Sequence, residues 1–189
     1  MSESASTPTA VIRKAVKEDV PEILAMIREL AEYERESDSC KATEELLYKN
    51  LGFTGGPAYA HTFLIFEGDR AVGMALYFYN FGTWTAKPGI YLEDLFVRPE
   101  CRGKGYGTAL LAHLAKEVRR MDGGRLDWQV LDWNEPSIKF YKSTGARHMQ
   151  EWMTMRVDGD GLDKLGALGP RVDVAESIPV YKRPIVDII

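Results

Sequence analysis

Cysteine and histidine are scarce in this chain. The only two cysteines, Cys40 and Cys101, stand far apart in the sequence. That is too few for a disulfide framework and fits no metal-ligand spacing, a usage typical of a reducing compartment. His61, His113 and His148 are scattered, with no second His or Cys beside any of them, so no metal site is expected. Basic charge is not in excess either: 24 Lys and Arg stand against 28 Asp and Glu, a formal net charge of −4. This argues against the basic footprint of a general nucleic-acid binder and slightly favours cationic ligands. No apolar run approaches the roughly 20 residues of a membrane span. The opening "MSESASTPTA" lacks the basic and apolar regions of a secretory signal. The expectation is a cytoplasmic protein with no metal, no nucleic acid and no membrane partner.

What is present suits one globular domain: 189 residues, 45% hydrophobic and 28% charged. Residues 1–9 read as a disordered head, 10–157 as the domain and 158–189 as a C-terminal extension of unknown role. Residues 10–16 read as a first strand. Asp19, followed by Pro21 and Glu22, reads as the cap of a helix whose buried stripe is Ile23, Ile27, Leu30 and Ala31. Thr43 starts a second helix that stops at Gly52. Strands over 61–67 and 71–80 are joined by Gly68–Asp69 as an antiparallel hairpin, and a further strand covers 89–97. A long helix over about 105–121 presents Leu111, Leu114, Ala115 and Val118 and ends at Gly123–Gly124. A strand follows over 125–132, then a short helix capped by Asn134 and closed at Gly145. Residues 146–157 are expected to close the core in extended form, with Met153, Met155 and Val157 alternating. After a loop or weak helix, residues 177–189 read as an extended tail. The fold class is α/β, with a central mostly antiparallel, mixed sheet flanked by helices.

One stretch demands a reason. In "VRPECRGKGYGTALL", residues 97–111, glycines stand at 103, 105 and 107, immediately before an apolar helical pattern. Glycine costs backbone entropy on folding. A strand, a glycine-rich turn and a helix N-terminus together make an anion site, because the first helical N–H groups lack partners and the helix dipole is positive there. A plain tight turn is the blander reading. A phosphate loop of the Walker type is excluded, since no Gly-Lys-Ser/Thr occurs. A dinucleotide fingerprint would want a small residue at 108, where Thr108 stands, and a parallel crossover sheet. Asp127, about 20 residues on, is its one supporting feature.

The third reading rests on more residues. Arg102-x-x-Gly105-x-Gly107, following the strand "YLEDLFVRPE", resembles the acyl-CoA loop of the GNAT N-acetyltransferase superfamily, and the element order from about Val11 to Val157 follows that fold. Three stretches, "ELAEYE" (29–34), "YLEDLFV" (91–97) and "DWNEPSIKFYKSTGA" (132–146), resemble its spermidine/spermine (diamine) and thialysine N-acetyltransferase branch. The resemblance implies the GNAT acyl-CoA N-acyltransferase fold, acetyl-CoA as co-substrate and a small-molecule amine as acceptor. It also implies a homodimer.

The resemblance assigns roles residue by residue. The N–H groups of Gly103, Lys104, Gly105, Tyr106, Gly107 and Thr108 would hold the pyrophosphate, with Arg102 and Lys104 adding cationic field. Leu95, Phe96 and Val97 would pair their backbone with the pantetheine arm, and the N–H of Leu95 would polarise the thioester carbonyl. Asn134, Glu135, Pro136 and Ser137 match a segment that contacts the CoA arm. Tyr141, two helical turns beyond Asn134, would protonate the departing thiolate; a phenol with a pKa near 10 stays protonated for that task. Glu93 would bind the amine and remove its proton through water, which is needed because a lysine-like amine has a pKa near 10.4. Asp94, its neighbour on the strand, is read as a paired structural acid. Tyr33 and Glu34 match substrate-channel residues, and Asp127, Trp128 and Gln129 are weaker candidates on the neighbouring strand.

The acceptor stays open between diamines or polyamines and lysine-like amino acids. Arg35 beside Glu34 disfavours long polyamines and suits an amino-acid carboxylate. Together with Thr83–Trp84 and residues 130–134, it resembles the thialysine side of the branch. A protein lysine or N-terminal acetyltransferase and a non-catalytic acyl-CoA sensor are the competing functions.

Overall fold

The computed structural model describes residues 10–169, so the head and the tail at 177–189 lie outside the described residues. The chain divides into two compact units, Met1–Ile138 and Lys139–Ile189. The first carries strand β1 (Val11–Lys14), helices α1 (Val20–Tyr33) and α2 (Glu44–Asn50), and strands β2 (His61–Glu67), β3 (Arg70–Gly82) and β4 (Lys87–Val97). Helix α3 (Tyr106–Arg120) and strand β5 (Arg125–Trp128) follow. Helix α4 (Glu135–Ser143) begins in the first unit and runs into the second, which holds α5 (Asp160–Gly166).

The sheet order is β1-β2-β3-β4-β5. The first three pairings are antiparallel and the last, β4 with β5, is parallel. The β2–β3 turn needs only Gly68 and Asp69, and Gly68 supplies the left-handed φ of 58°. Thr62 to Ile65 and Ala71 to Tyr77 are buried without a break, as expected where helices cover both faces of a sheet. Leu64, Met74 and Leu76 join Ile23 and Met26 of α1 in one cluster. On the other face Phe63 meets the His113 ring of α3 at 4.3 Å. Each fully buried Ile or Leu in these layers contributes about 1.5–3 kcal/mol.

Several local expectations are corrected by tertiary contacts. Asp19 does not cap α1 with its side chain. Its carboxylate instead receives the Arg13 guanidinium at 2.6 and 2.8 Å and the Val16 N–H at 2.7 Å, which holds it below the usual carboxylate range. The buried stripe of α1 is Val20, Ile23, Leu24 and Met26, with Ile27, Leu30 and Ala31 half-buried. In α3 Leu110 takes the buried place expected of Ala115. Strand β5 stops at Trp128. No strand forms over 146–157, where Met153 and Met155 are 85% and 86% exposed.

Helices α1 to α4 each end in the same motif, in which a left-handed residue is followed by an N–H that reaches back five residues. Gly52 and Gly145 serve α2 and α4, with φ of 83° and 89°. Helix α3 uses Asp122, φ 53°, and α1 uses Arg35, φ 63°. Gly123 is therefore not the left-handed residue of α3. It is needed because a Cβ there would stand 2.8 Å from the Val118 carbonyl oxygen.

Candidate functional site

The glycine loop forms as an anion cradle. Gly103 and Gly105 both have left-handed φ, 78° and 82°, which a side chain tolerates poorly. A Cβ built at either meets nothing within 4 Å, so the conformation and not protein crowding demands glycine, and the space beside the backbone is open. Among the described residues, none of the N–H groups from Gly103 through Thr108 donates to a carbonyl. The chain's pairing resumes at Ala109, whose N–H reaches Gly105 at 2.9 Å. These open donors lie at the positive end of α3, the arrangement that binds phosphate. Lys104 is engaged with Glu67 at 2.6 Å, and the Tyr106 hydroxyl also donates to Glu67.

The strand leading into the loop opens toward one side. Strand β5 pairs with β4 only from Gly89 to Leu92, ending at the Leu92–Trp128 pair. Beyond that point Asp94 to Val97 stay paired with β3, while no β5 residue faces them. Glu93 marks the change: Leu76 opposes Asp94 and Tyr77 opposes Leu92, leaving Glu93 as the extra residue of a bulge. The backbone of Leu95, Phe96 and Val97 thus has one edge free of its neighbour, beside the cradle.

Arg98, the first residue after β4, anchors this junction. Its guanidinium bonds Glu22 at 2.9 Å, Glu29 at 3.1 Å and the Ala71 carbonyl at 2.9 Å, and its N–H reaches the Val72 carbonyl at 3.0 Å. The side chain is only 12% exposed. Its partners lie too far away in sequence for any local pattern to reveal them.

The end of α1 and the start of α4 meet at the same place. The Tyr33 hydroxyl donates to Asn134 Oδ1 at 3.1 Å, and the Ser137 N–H donates to the same oxygen at 3.3 Å. Asn134 is therefore the cap of α4 and is buried. Arg102 Nε donates to the Val97 carbonyl at 2.9 Å, and its guanidinium lies 5.2 Å from the Tyr33 ring and 5.7 Å from that of Phe96. Trp133, given no role of its own in the sequence, stands 6.4 Å from Tyr33, with the Arg35 guanidinium 5.5 Å from its ring. Tyr33, Arg102 and Asn134 are thus brought together.

Three carboxylates accompany them. Asp94 is half-buried, and its pKa is pushed up to about 6 by burial first, then by Glu93 and Glu34. Burial and then Glu36 raise Glu34. Glu93 is exposed. The bulge interrupts the regular strand alternation at Glu93, and the perturbed acid is Asp94, read in the sequence as a paired structural acid.

The remaining candidates are placed as follows. Asp127 accepts from Asn80 at 3.0 Å and pairs with Arg125 at 2.7 Å. Trp128 ends β5 opposite Leu92, and Gln129 follows it. Glu135 and Pro136 open α4 ahead of Ser137. Tyr141 belongs to the second unit, half-buried, with its ring 5.2 Å from Phe140. Among the described residues no helix is long and apolar enough to cross a membrane.

A strand, a left-handed glycine turn, a helix start and a diverging neighbour strand thus stand together at one junction. The model of the acetyltransferase (GNAT) family matches residues 23–146. The chain is 36% identical over 168 residues to the thialysine N-epsilon-acetyltransferase of Sus scrofa, covering 83% of this chain and 97% of that protein. It is 31% identical over 201 residues to an L-ornithine N5-acetyltransferase of Arabidopsis thaliana, covering 83% and 88%. An integron cassette protein from the mobile metagenome of V. cholerae superposes with a TM-score of 0.69 at 29% identity, covering 84% and 98%. The chain belongs to the acetyltransferase (GNAT) family, and its activity is amine N-acetylation. The family uses acetyl-CoA as co-substrate, and the open N–H groups of the cradle fit its pyrophosphate.

Proposed function

We propose that this chain transfers an acetyl group from acetyl-CoA to a primary amine of a small cationic acceptor, by direct attack in a ternary complex. The observation that carries the reading is the junction at β4. There a free strand edge adjoins the open cradle at one end and the carboxylates Glu93 and Asp94 at the other. Acetyl-CoA supplies the acetyl group as a thioester. The N–H groups from Gly103 through Thr108 hold its pyrophosphate. The backbone of Leu95, Phe96 and Val97 aligns the arm, and the Leu95 N–H donates to the carbonyl oxygen. Glu93, with Asp94 beside it, receives a proton from the ammonium through water, so that the neutral nitrogen bonds the carbonyl carbon. Tyr141 protonates the sulfur as the C–S bond breaks, and the remaining surplus proton on nitrogen restores the phenol. Tyr33 and Glu34 border the acceptor's entry, with Asp127, Trp128 and Gln129 on the neighbouring strand. By the same family resemblance the working unit is a homodimer.

The test is acetyl-CoA turnover, followed by thiol release, with a panel of free diamines, polyamines and diamino acids. Turnover with one of these classes is expected. Acetyl-CoA binding without turnover on any free amine, or turnover only on peptides, contradicts the reading.

A further inference from the structure

Of the four helix ends built on a left-handed residue, two use glycine and one uses Asp122. Aspartate tolerates this conformation, and Asp122 is held there by Lys87 at 2.8 Å. The end of α1 has no such justification. Arg35 adopts φ 63°, its N–H bonds Glu32 at 3.1 Å, and the Glu36 N–H reaches Ala31 at 2.8 Å. A long side chain without a local hydrogen-bonding group occupies the place where glycine is favoured. Backbone strain retained at one residue of a site is a pointer to its side chain.

That side chain is committed to no anion. Glu32, Glu34 and Glu36 surround it in sequence, yet among the described residues Arg35 forms no ion pair, and its guanidinium lies 5.5 Å from the centre of the Trp133 ring. Stacking on an indole orients a guanidinium while leaving its donor edge open, and that edge matches a carboxylate in two parallel hydrogen bonds. Trp133 in turn contacts Tyr33, which bonds Asn134. The open guanidinium therefore sits at the rim of the site, in the same chain segment as Glu34. Carboxylates for the amine and a guanidinium for an acid together select a zwitterion.

We propose that Arg35, oriented on Trp133, receives the α-carboxylate of the acceptor, so that the preferred substrate class is a diamino acid and not a diamine. This rests on the amine N-acetyltransferase reading above and names its substrate class. It fits two of the chain's relatives, which carry thialysine and L-ornithine in their names.

The test uses Arg35→Gly, which removes the guanidinium and relieves the left-handed strain in one change. Turnover is measured for thialysine, L-ornithine and L-lysine, each against the diamine left by removing its carboxyl group. The melting temperature is expected to rise by roughly 2–4 °C. The ratio of kcat/KM for amino acid over diamine should fall roughly five- to tenfold, mostly through KM for the amino acid. Arg35→Lys, keeping a charge without the fork, should recover part of that ratio. A purely structural Arg35 would change both substrate classes alike. An unchanged ratio, or a wild type that prefers the diamines, overturns the proposal while leaving amine acetylation standing. Wild-type turnover on neither class overturns the functional reading and this proposal with it.

Discussion

The Tyr33 hydroxyl and Asn134 Oδ1 are joined at 3.1 Å across 101 residues of sequence. The same oxygen caps α4 through Ser137, so one amide ties the end of α1 to the start of the helix that carries Tyr141. Two substitutions separate these functions. Tyr33→Phe removes one hydrogen bond and should cost about 1 kcal/mol. Asn134→Ala removes the cap as well and should cost about 1–2 kcal/mol. Thermal unfolding checks the order. A Tyr33→Phe variant less stable than Asn134→Ala would mean that the ring contacts, and not the amide, hold the junction.

The cradle is tested at Gly105, whose left-handed φ of 82° opens α3. Gly105→Val imposes a β-branched side chain on that conformation and projects it into the space beside the N–H groups. Acetyl-CoA affinity should fall at least roughly tenfold, a loss of one or two hydrogen bonds to a charged group, while circular dichroism stays native. A folded variant with unaltered affinity by calorimetry would remove the pyrophosphate assignment.

Asp94 gives a pH signature. Burial, with Glu93 and Glu34 nearby, pushes its carboxyl up to about 6 in the folded protein, above the usual carboxylate range. Below about pH 4 it is neutral in both states. Between these values the unfolded chain sheds its proton first, so stability declines as pH rises toward about 6 and stays lowered above it. Asp94→Asn should flatten this part of the melting-temperature profile between pH 4 and 7. It should also displace the acidic limb of kcat/KM near pH 6, whereas Glu93→Gln should lower turnover and move the profile to higher pH. A limb unmoved in both variants would exclude both acids from the proton transfer.

Tyr141→Phe keeps the ring against Phe140 and deletes the hydroxyl, the proton donor proposed above. Turnover should drop on the order of 10²–10⁴-fold with little change in acetyl-CoA binding. Single-turnover kinetics report the chemical step directly, and a near-normal rate would assign the proton to water or another group.

Much of this was legible locally. The β2–β3 hairpin, the Thr43 cap on α2 and the span of α3 follow from alternation, turn chemistry and helical spacing, interactions that reach only a few residues. The glycines at 103 and 105 were legible for the same reason, since a left-handed φ before a helix is a property of the backbone itself. Three departures from the local reading share one cause. Asp19 left its helix for Arg13, and Glu93 became a bulge residue because β4 must leave β5 while keeping β3. Arg98 found its partners on α1 and β3.

The sequence by itself therefore determined the parts whose energetics are short-ranged: the order of strands and helices from β1 through α4, and a left-handed glycine turn before α3. Only the tertiary structure decided which of two adjacent acids is perturbed, that the Arg35 guanidinium lies over the Trp133 ring beside Tyr33, and where β4 parts from β5. Those outcomes depend on burial and on charges brought close by folding, and electrostatics in a partly buried site is set by neighbours in space. A pKa near 6 at Asp94 belongs to that environment, and no residue pattern along the chain contains it.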